Sequence, residues 1–249
     1  MTVYRYDADT IDTPALGLVV LQSDETIEGD FRRMLPAGTP FYVSRVPSAP
    51  DVTPQTLQSM ARHLTGAAAL FPAPVRFAAV GYGCTSGTAQ IGAPAIADLI
   101  RAGTNTQAVT EPLSALIAAC AALGLRRIAF LSPYVADVSQ RLRTALATAG
   151  IETPVFGSFN EAEEEKVVRI SGASIMDAAQ DLMHDSPAEA LFLSCTNLRT
   201  LDVIAPLEQR LNVPVLSSNQ VLAWHMGRCA GVKITGPGRL FDADENKSA

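Results

Sequence analysis

Two cysteines occupy matching positions in the two halves of the chain. Cys84 follows the apolar run "VRFAAVGYG" and precedes "TSG", and Cys195 follows "ALFLS" and precedes "TN". A thiol can remove or return a proton, and it can also attack a substrate as a nucleophile. The repeated pattern of strand, cysteine and threonine favours one site to which each half contributes a thiol. A buried cysteine also packs as a small hydrophobic residue, so a structural role stays open for both.

The residues that follow each cysteine suit an anionic ligand. In open α/β sheets, ligands bind beyond the carboxyl ends of the strands, where the amides that begin the next helix favour a negative charge, including that of a thiolate. Glycines in "GYGCTSG" let the backbone approach a ligand closely. Hydroxyl and amide side chains supply further donors at Thr85, Ser86, Thr88, Thr196 and Asn197. We therefore expect the two thiols to act on a small carboxylate or enolate.

Other residues that could do chemistry lack a supporting pattern. The glycine-rich turn has neither the ending of a phosphate-binding loop nor the spacing of a dinucleotide site. His63, His184 and His225 do not have metal-ligand spacing, so no metal is expected. Cys120 and Cys229 lie in apolar helical patterns, which favours structural roles. The acidic run "EAEEEK" at 161–166 predicts an exposed helix start.

Strands and helices alternate along the whole chain. Runs rich in Val, Ile, Leu and Phe, such as "ALGLVVL" and "RRIAFL", alternate with helical patterns that open at Pro or Thr and close at Gly. This alternation predicts an α/β fold with parallel sheets that are covered by helices on both faces. The repeated cysteine turn suggests two pseudo-symmetric lobes with a cleft between them. We assign residues 1–115 and 213–249 to the first lobe, with the strand and helix of 213–230 crossing back, and 116–212 to the second.

Composition excludes several classes of partner. Of the 249 residues, 48% are hydrophobic and 18% are charged, and the net charge of −6 comes without a basic cluster. Nucleic-acid binding requires concentrated positive charge and is not expected. No apolar run is long enough to span a membrane, and the first residues do not resemble a signal peptide. The four cysteines show no CxxC pair and are expected to be reduced thiols in a cytoplasmic protein.

Several stretches carry a resemblance to a known family. They are "GLVVLQSDETIE", "GYGCTSG", "LSPYVADVSQRL", "LFLSCTNLRTLDVI", "VPVLSSNQ" and the closing "GPGRLFD". The chain resembles the arylmalonate decarboxylase and maleate isomerase branch of the aspartate/glutamate racemase superfamily. The resemblance implies two pseudo-symmetric α/β lobes, a site between them that needs no cofactor, and a homo-oligomer, either a dimer or larger. It also implies that Cys84 and Cys195 are catalytic. Substrate binding would fall to Thr85, Ser86, Tyr134, Asn160, Thr196 and Asn197.

Two positions separate this chain from members of the branch. The decarboxylases resemble the chain but have glycine where Cys84 stands, so decarboxylation is disfavoured. Maleate isomerases carry an asparagine for a substrate carboxylate where this chain has Asp24 in "LQSDET". An aspartate repels a second carboxylate and suits an ammonium or an N–H group. The same stretch is similar to the subgroup named ectoine-utilisation protein A.

Four functional hypotheses follow from these residues. The first is a cofactor-independent two-cysteine racemase or isomerase acting on a small carboxylate that bears nitrogen, such as an amino acid or a cyclic amidine of the ectoine type. The second is a maleate cis-trans isomerase, in which a cysteine adds covalently to the double bond. The third is a decarboxylase of the arylmalonate type. The fourth is a metabolite-binding protein that lacks catalysis.

Overall fold

The computed structural model describes residues 1–8 and 13–243, which form two four-stranded parallel sheets. The first sheet has the strand order β2-β1-β3-β4 and the second the order β6-β5-β7-β8. The first-sheet strands are β1 (Ala15–Leu21), β2 (Phe41–Val46), β3 (Phe77–Gly83) and β4 (Thr106–Thr110). The second-sheet strands are β5 (Ile128–Tyr134), β6 (Phe156–Glu161), β7 (Ala190–Leu193) and β8 (Val215–Ser217). The predicted α/β class with parallel sheets is confirmed.

Helices connect the strands in both lobes. Those that precede β5 are α1 (Ile27–Met34), α2 (Pro54–Ser59), α3 (Ala61–Ala68), α4 (Thr85–Ile91), α5 (Ala93–Gly103) and α6 (Pro112–Leu123). Those that follow are α7 (Ala136–Thr148), α8 (Glu164–Val167), α9 (Gly172–Met183), α10 (Ile204–Leu211), α11 (Ser218–Ala230) and α12 (Arg239–Asp242). Within the described residues, no helix combines the length and the apolar character needed to cross a membrane.

The apolar runs seen in the sequence become the central strands of the sheets. Every residue of β1 and of β5 is buried, because each strand lies between two neighbours and has helices on both faces. Phe77 in the first sheet and Phe130 in the second are fully buried. The sheets thereby fix the carboxyl ends of β3 and β7, which is where the two cysteine turns begin.

Some element boundaries differ from the prediction. Strand β4 was not predicted, because its sequence "TQAVT" is polar and the strand lies at the edge of its sheet, where it is only partly buried. The strand that "ETPVFGS" predicts is β6, which begins at Phe156 and ends at Glu161. The helix that "TLDVIAPLEQRLN" predicts is α10, which begins at Ile204, because the residues between Cys195 and Ile204 form bends and turns. The second cysteine is therefore followed by a loop and not by a helix.

The crossing between the lobes also differs from the assignment at residues 213–230. Strand β8 pairs with β7 and completes the second sheet instead of returning to the first. Helix α11 does reach the first sheet, where it packs against β3 and β4, and it also contacts α6. Ser217 and Gln220 form a capping box that starts α11 directly after β8. The buried helix α11 therefore joins the two lobes. Its first turn contacts the turns that contain Cys84 and Cys195.

The packing of α3 against α5 can be tested at two glycines. A Cβ on Gly103 would overlap the Thr65 carbonyl oxygen and would lie 2.8 Å from the Cβ of Ala68. We expect Gly103→Ala to lower the free energy of unfolding by about 1–3 kcal/mol, because rigid backbone must shift. The control is Gly66→Ala, at an exposed helical position where a Cβ meets nothing within 4 Å. It should raise stability by about 0.5–1 kcal/mol in urea unfolding. Equal effects of the two substitutions would contradict this packing.

Candidate active site

One pocket between the lobes contains both cysteine turns. Cys84 follows β3 directly, and Cys195 follows β7 after a single residue. The pocket is lined by Leu21, Ser23, Asp24, Val52, Leu57, Cys84, Thr85, Ser86, Tyr134, Glu164, Cys195, Thr196 and Asn197. The lining combines residues that follow β1 and β3 in the first lobe with residues from β5, α8 and the β7 turn in the second. Two thiols from different lobes therefore share one cavity.

Cys84 is the N-cap of α4. Its Sγ atom accepts a hydrogen bond from the backbone N–H of Gly87 at 3.2 Å. A Cβ on Gly87 would lie 2.8 Å from this sulfur and 2.7 Å from the Tyr82 hydroxyl. The glycine therefore lets the first turn of α4 approach the thiol closely enough to donate to it.

Cys195 has a strained backbone, with a φ of 98°. This conformation is rare for a residue with a Cβ and costs on the order of 1–3 kcal/mol. The turn is held by Ser218, whose Oγ accepts the N–H of Cys195 at 3.0 Å and the Thr85 hydroxyl at 2.8 Å. The Sγ of Cys195 accepts from the N–H of Asn197 at 3.3 Å. Ser218 thus links the two cysteine turns across the cleft.

Burial favours the protonated form of both thiols. Burial raises the pKa of Cys84 to about 12 and raises the pKa of Cys195 well above its ordinary value, and the negative charge of Glu164 acts in the same direction. The N–H donors of Gly87 and Asn197 lower these pKa values, but less than burial raises them. The expectation that backbone amides favour the thiolate has the right sign, but burial outweighs it.

Glu164 is a site residue that the sequence analysis missed. The acidic run does start a helix, α8, but Glu164 is only 5% exposed and its carboxyl points into the pocket. Its Oε1 accepts from the Tyr134 hydroxyl at 2.6 Å, and its Oε2 accepts from the Asn197 amide at 3.0 Å. The Tyr134 hydroxyl also lies 3.0 Å from the Sγ of Cys195. A continuous chain of contacts therefore joins Cys195, Tyr134 and Glu164.

The position of α8 explains the burial of Glu164. The backbone N–H of Glu164 donates to the Pro50 carbonyl at 3.1 Å, and the N–H of Val52 donates to the Ala162 carbonyl at 2.9 Å. These bonds hold the start of α8 against a loop of the first lobe. The buried Val167 anchors the other end of α8. An apolar residue three positions after Glu164 was the available sequence signal, since it places one acidic residue on the inner face.

Asp24 has one carboxylate oxygen with partners and one without. Its Oδ1 accepts from the N–H groups of Thr26 and Ile27, both at 2.8 Å, and so caps the start of α1. Its Oδ2 is buried and has no hydrogen-bond partner, since the Thr196 hydroxyl donates instead to the Gly83 carbonyl. Burial raises the pKa of Asp24 to about 7. The pocket therefore contains an unused acceptor.

Most of the predicted binding residues line the pocket, and one does not. Asp24, Tyr134 and Asn197 do, as do Thr85, Ser86 and Thr196. Asn160 lies outside it, at an exposed position of β6 with a φ of 54°, and its N–H donates to the Ser158 hydroxyl. The substrate-binding role that the resemblance implies for Asn160 therefore has no support from the pocket geometry.

The cavity is almost filled by protein. Its free volume is about 10 Å³, which is roughly the room that one water molecule needs. A substrate larger than one water molecule therefore requires the pocket lining to shift. Across residues 1–8 and 13–243, no three His, Cys, Asp or Glu side chains are grouped in a way that would hold a metal ion.

Comparison with known proteins gives one family and one fold. Residues 93–241 match the family model described as arylmalonate decarboxylase. Over 238 residues, the chain is 29% identical to the arylmalonate decarboxylase of Bordetella bronchiseptica. The aligned region covers 92% of this chain and 97% of that protein.

The fold is shared with solved maleate isomerases. A cysteine-to-alanine variant of the Pseudomonas putida enzyme with maleate gives a TM-score of 0.82 at 20% identity, covering 93% of this chain and 98% of that one. A cysteine-to-serine variant of the Nocardia farcinica cis-trans isomerase, with a covalently bound succinylcysteine intermediate, gives 0.80 at 23% identity, covering 92% and 98%. At these identities the likeness extends to the fold alone.

The burial of Asp24 predicts a pH-dependent stability. Its pKa of about 7 in the folded chain lies above its ordinary value of 3.8, so unfolding releases a proton between these values. Its contribution to the free energy of unfolding is fully present below about pH 4, falls as pH rises, and levels off above about pH 7. Asp24→Asn keeps the oxygen that caps α1 but cannot ionise. The variant therefore removes the loss of unfolding free energy at high pH, which is on the order of 4 kcal/mol at most.

Urea unfolding of both proteins at about pH 4.5 and about pH 8 measures the effect. The variant should gain stability relative to the parent chain only at the higher pH. Asp177→Asn, at an exposed position within α9, is the matched control and should show no such change. A difference for Asp24→Asn that does not vary with pH would contradict the assignment.

Proposed function

The chain belongs to the arylmalonate decarboxylase family, and we propose that it is a cofactor-independent two-cysteine racemase or isomerase that acts on a small carboxylate. The observation that carries the proposal is that Cys84 and Cys195, from different lobes, line one pocket. Ser86 lines the same pocket, and its hydroxyl is suited to donate to a substrate carboxylate. The hydroxyls of Tyr134, Thr85 and Thr196 already donate to Glu164, to Ser218 and to the Gly83 carbonyl, and so they hold the walls of the pocket in place.

The geometry supports proton transfer between two faces of a carbon. One cysteine, as the thiolate, removes the proton next to the substrate carboxylate, and the electron pair of the C–H bond moves into an enolate. The other cysteine, as the thiol, returns a proton to the opposite face and is left as a thiolate. The two thiols then exchange roles, so the reaction needs no redox partner and no net proton.

The thiol of Cys195 has a local route for its proton. Its Sγ lies 3.0 Å from the Tyr134 hydroxyl, which in turn lies 2.6 Å from Glu164 Oε1. Transfer along this chain moves the negative charge from the carboxylate to the sulfur without adding a second charge to a buried site. Cys84 instead lies beside the Tyr82 hydroxyl, which donates to the Met60 sulfur and not to a carboxylate. The first proton abstraction is therefore assigned to Cys195.

Asp24 supports a substrate that carries nitrogen. Its Oδ2 is buried without a partner, and a buried acceptor left unpaired costs free energy that an N–H group of the substrate would recover. Amino acids and cyclic amidines of the ectoine type combine such a group with a carboxylate. They are the first candidates to test.

Exchange with solvent deuterium tests the reaction. Candidate amino acids and cyclic amidine carboxylates are incubated with the chain in deuterated water, and exchange at the stereocentre is followed by NMR. Because the two faces need different thiols, Cys84→Ala and Cys195→Ala should each lower the rate of racemisation by about 10²-fold or more. Cys229→Ala, which alters an exposed cysteine outside the pocket, should keep the parent rate. Exchange that persists in both pocket variants would refute the proposal.

A maleate isomerase is the second candidate, because a solved relative holds a succinylcysteine intermediate in the same fold. In this reaction a cysteine adds to the double bond, the central bond rotates, and the thiol leaves. Conversion of maleate to fumarate, with a maleate adduct on Cys84 or Cys195 by mass spectrometry, would favour it. The carboxyls of Asp24 and Glu164 in the pocket oppose a dianion.

Two further outcomes are separated by the same assays. Release of carbon dioxide from an arylmalonate would indicate the decarboxylase reaction, for which the resemblance implies glycine where Cys84 stands. Tight binding of a nitrogen-bearing carboxylate without deuterium exchange would indicate a metabolite-binding protein. Either outcome would replace the racemase proposal.

A further inference from the structure

Two carboxyl groups, one from each lobe, point into the same pocket. We propose that Asp24 and Glu164 together form a subsite for a cationic nitrogen of the substrate, an ammonium or amidinium group. The inference rests on the proposed function in taking the pocket as the substrate site. It goes further in naming Glu164 and in requiring a positive charge instead of a neutral N–H group.

The Asp24 side chain offers the first half of the subsite. It is 4% exposed, and its Oδ1 is already used by two backbone N–H groups at the start of α1. Its Oδ2 has no partner although it is buried beside the pocket. Native proteins rarely leave a buried carboxylate oxygen unpaired, so this atom indicates a donor that arrives with the ligand.

The Glu164 side chain offers the second half. The neighbouring Glu163 and Glu165 are exposed, whereas Glu164 is 5% exposed and turned inward. Burying a carboxyl in this way is costly unless it is paired with a cation or has a function. Its two oxygens each accept one hydrogen bond, from Tyr134 and from Asn197, and each keeps a second lone pair. Glu164 can therefore accept from a ligand while its partners hold it in place.

Asn197 brings the two carboxyls together. Its Nδ2 donates to Glu164 Oε2 at 3.0 Å, and its Oδ1 accepts the N–H of Glu25, the residue after Asp24, at 2.9 Å. The negative charge of Glu164 is close enough to raise the pKa of Asp24, although burial is the larger cause. One amide side chain thus connects the two halves of the subsite across the cleft.

The described residues supply no cation to this pair. None of the described residues that line the pocket is a lysine, an arginine or a histidine. Arg45 lies nearby, but its guanidinium donates to the backbone carbonyls of Asp24 and Leu21, both at 2.9 Å, and not to the Asp24 carboxyl. Two buried carboxylates without a countercharge repel each other and any anion placed beside them. A positive group on the ligand removes this repulsion, and a second carboxylate adds to it.

Two ligands of similar size and different charge can test whether the pocket selects a positive group. β-Alanine and succinate both carry a carboxylate on two methylene groups, and they differ in ending with an ammonium or with a second carboxylate. Each probe is titrated into the full chain, and binding is read from the melting temperature and from protection of Cys84 and Cys195 against iodoacetamide. The exposed Cys229 serves as the internal standard for alkylation.

The proposal predicts that β-alanine binds at least about tenfold more tightly than succinate. Asp24→Asn and Glu164→Gln should each reduce this ratio by about tenfold, and the double variant should favour succinate. The matched control, Glu165→Gln, removes an exposed carboxylate from the same helix and should leave the ratio unchanged.

Several results would overturn the subsite. They are equal or tighter binding of succinate by the parent chain, no binding of β-alanine or of its homologue 4-aminobutyrate, and a ratio that the two variants leave unchanged. The first two results are measured on the parent chain alone, so the proposal can be refuted even if a variant fails to fold. A preference for β-alanine without deuterium exchange would retain the subsite and refute the racemase. Deuterium exchange without a preference for β-alanine would retain the racemase and refute the subsite.

Discussion

Besides the Tyr134 phenol, four acidic groups line the buried pocket between the lobes, and none of the described lining residues is basic. Two are thiols, Cys84 and Cys195, and two are carboxyls, Asp24 and Glu164. Each has a raised pKa, and burial is the largest cause in every case. In such a site a negative charge can move between groups more cheaply than a second one can be added. This constraint shapes both the proton chemistry and the choice of ligand.

Rigid elements of both lobes hold these acidic groups close together. Strands β3 and β7 end at the pocket, and Ser218 at the first turn of α11 ties together the turns that follow them. The left-handed φ of Cys195 is maintained by these bonds in spite of its strain. Because α11 also packs against the first sheet, the separation of the two thiols depends on a buried helix rather than on a loop.

The sequence predicts the parts of this arrangement that depend on local pattern. Buried parallel strands appear as continuous apolar runs, and a cysteine directly after such a run must lie at the carboxyl edge of a sheet. The polar edge strand β4 has no such run, which explains why it was missed. Glu164 was missed for a different reason: its burial depends on hydrogen bonds to Pro50 and on the docking of α8 against the other lobe. The buried Val167, three positions later, was the local sign of an inner face on α8, and the contacts with the other lobe add no sign of their own to the sequence.

The two cysteines follow strands in equivalent places of the two lobes, but their thiols have different neighbours. Cys84 caps a helix and receives an amide N–H, whereas Cys195 lies in a strained turn and contacts Tyr134, which is bonded to Glu164. Among the residues that the structure describes, a carboxylate lies within two hydrogen bonds of Cys195 but not of Cys84. The substrate would therefore meet two faces that differ in how readily each thiol loses its proton. Because the relay through Tyr134 and Glu164 serves Cys195, abstraction is favoured from the face that Cys195 meets, and Cys84 removes the proton in the reverse direction.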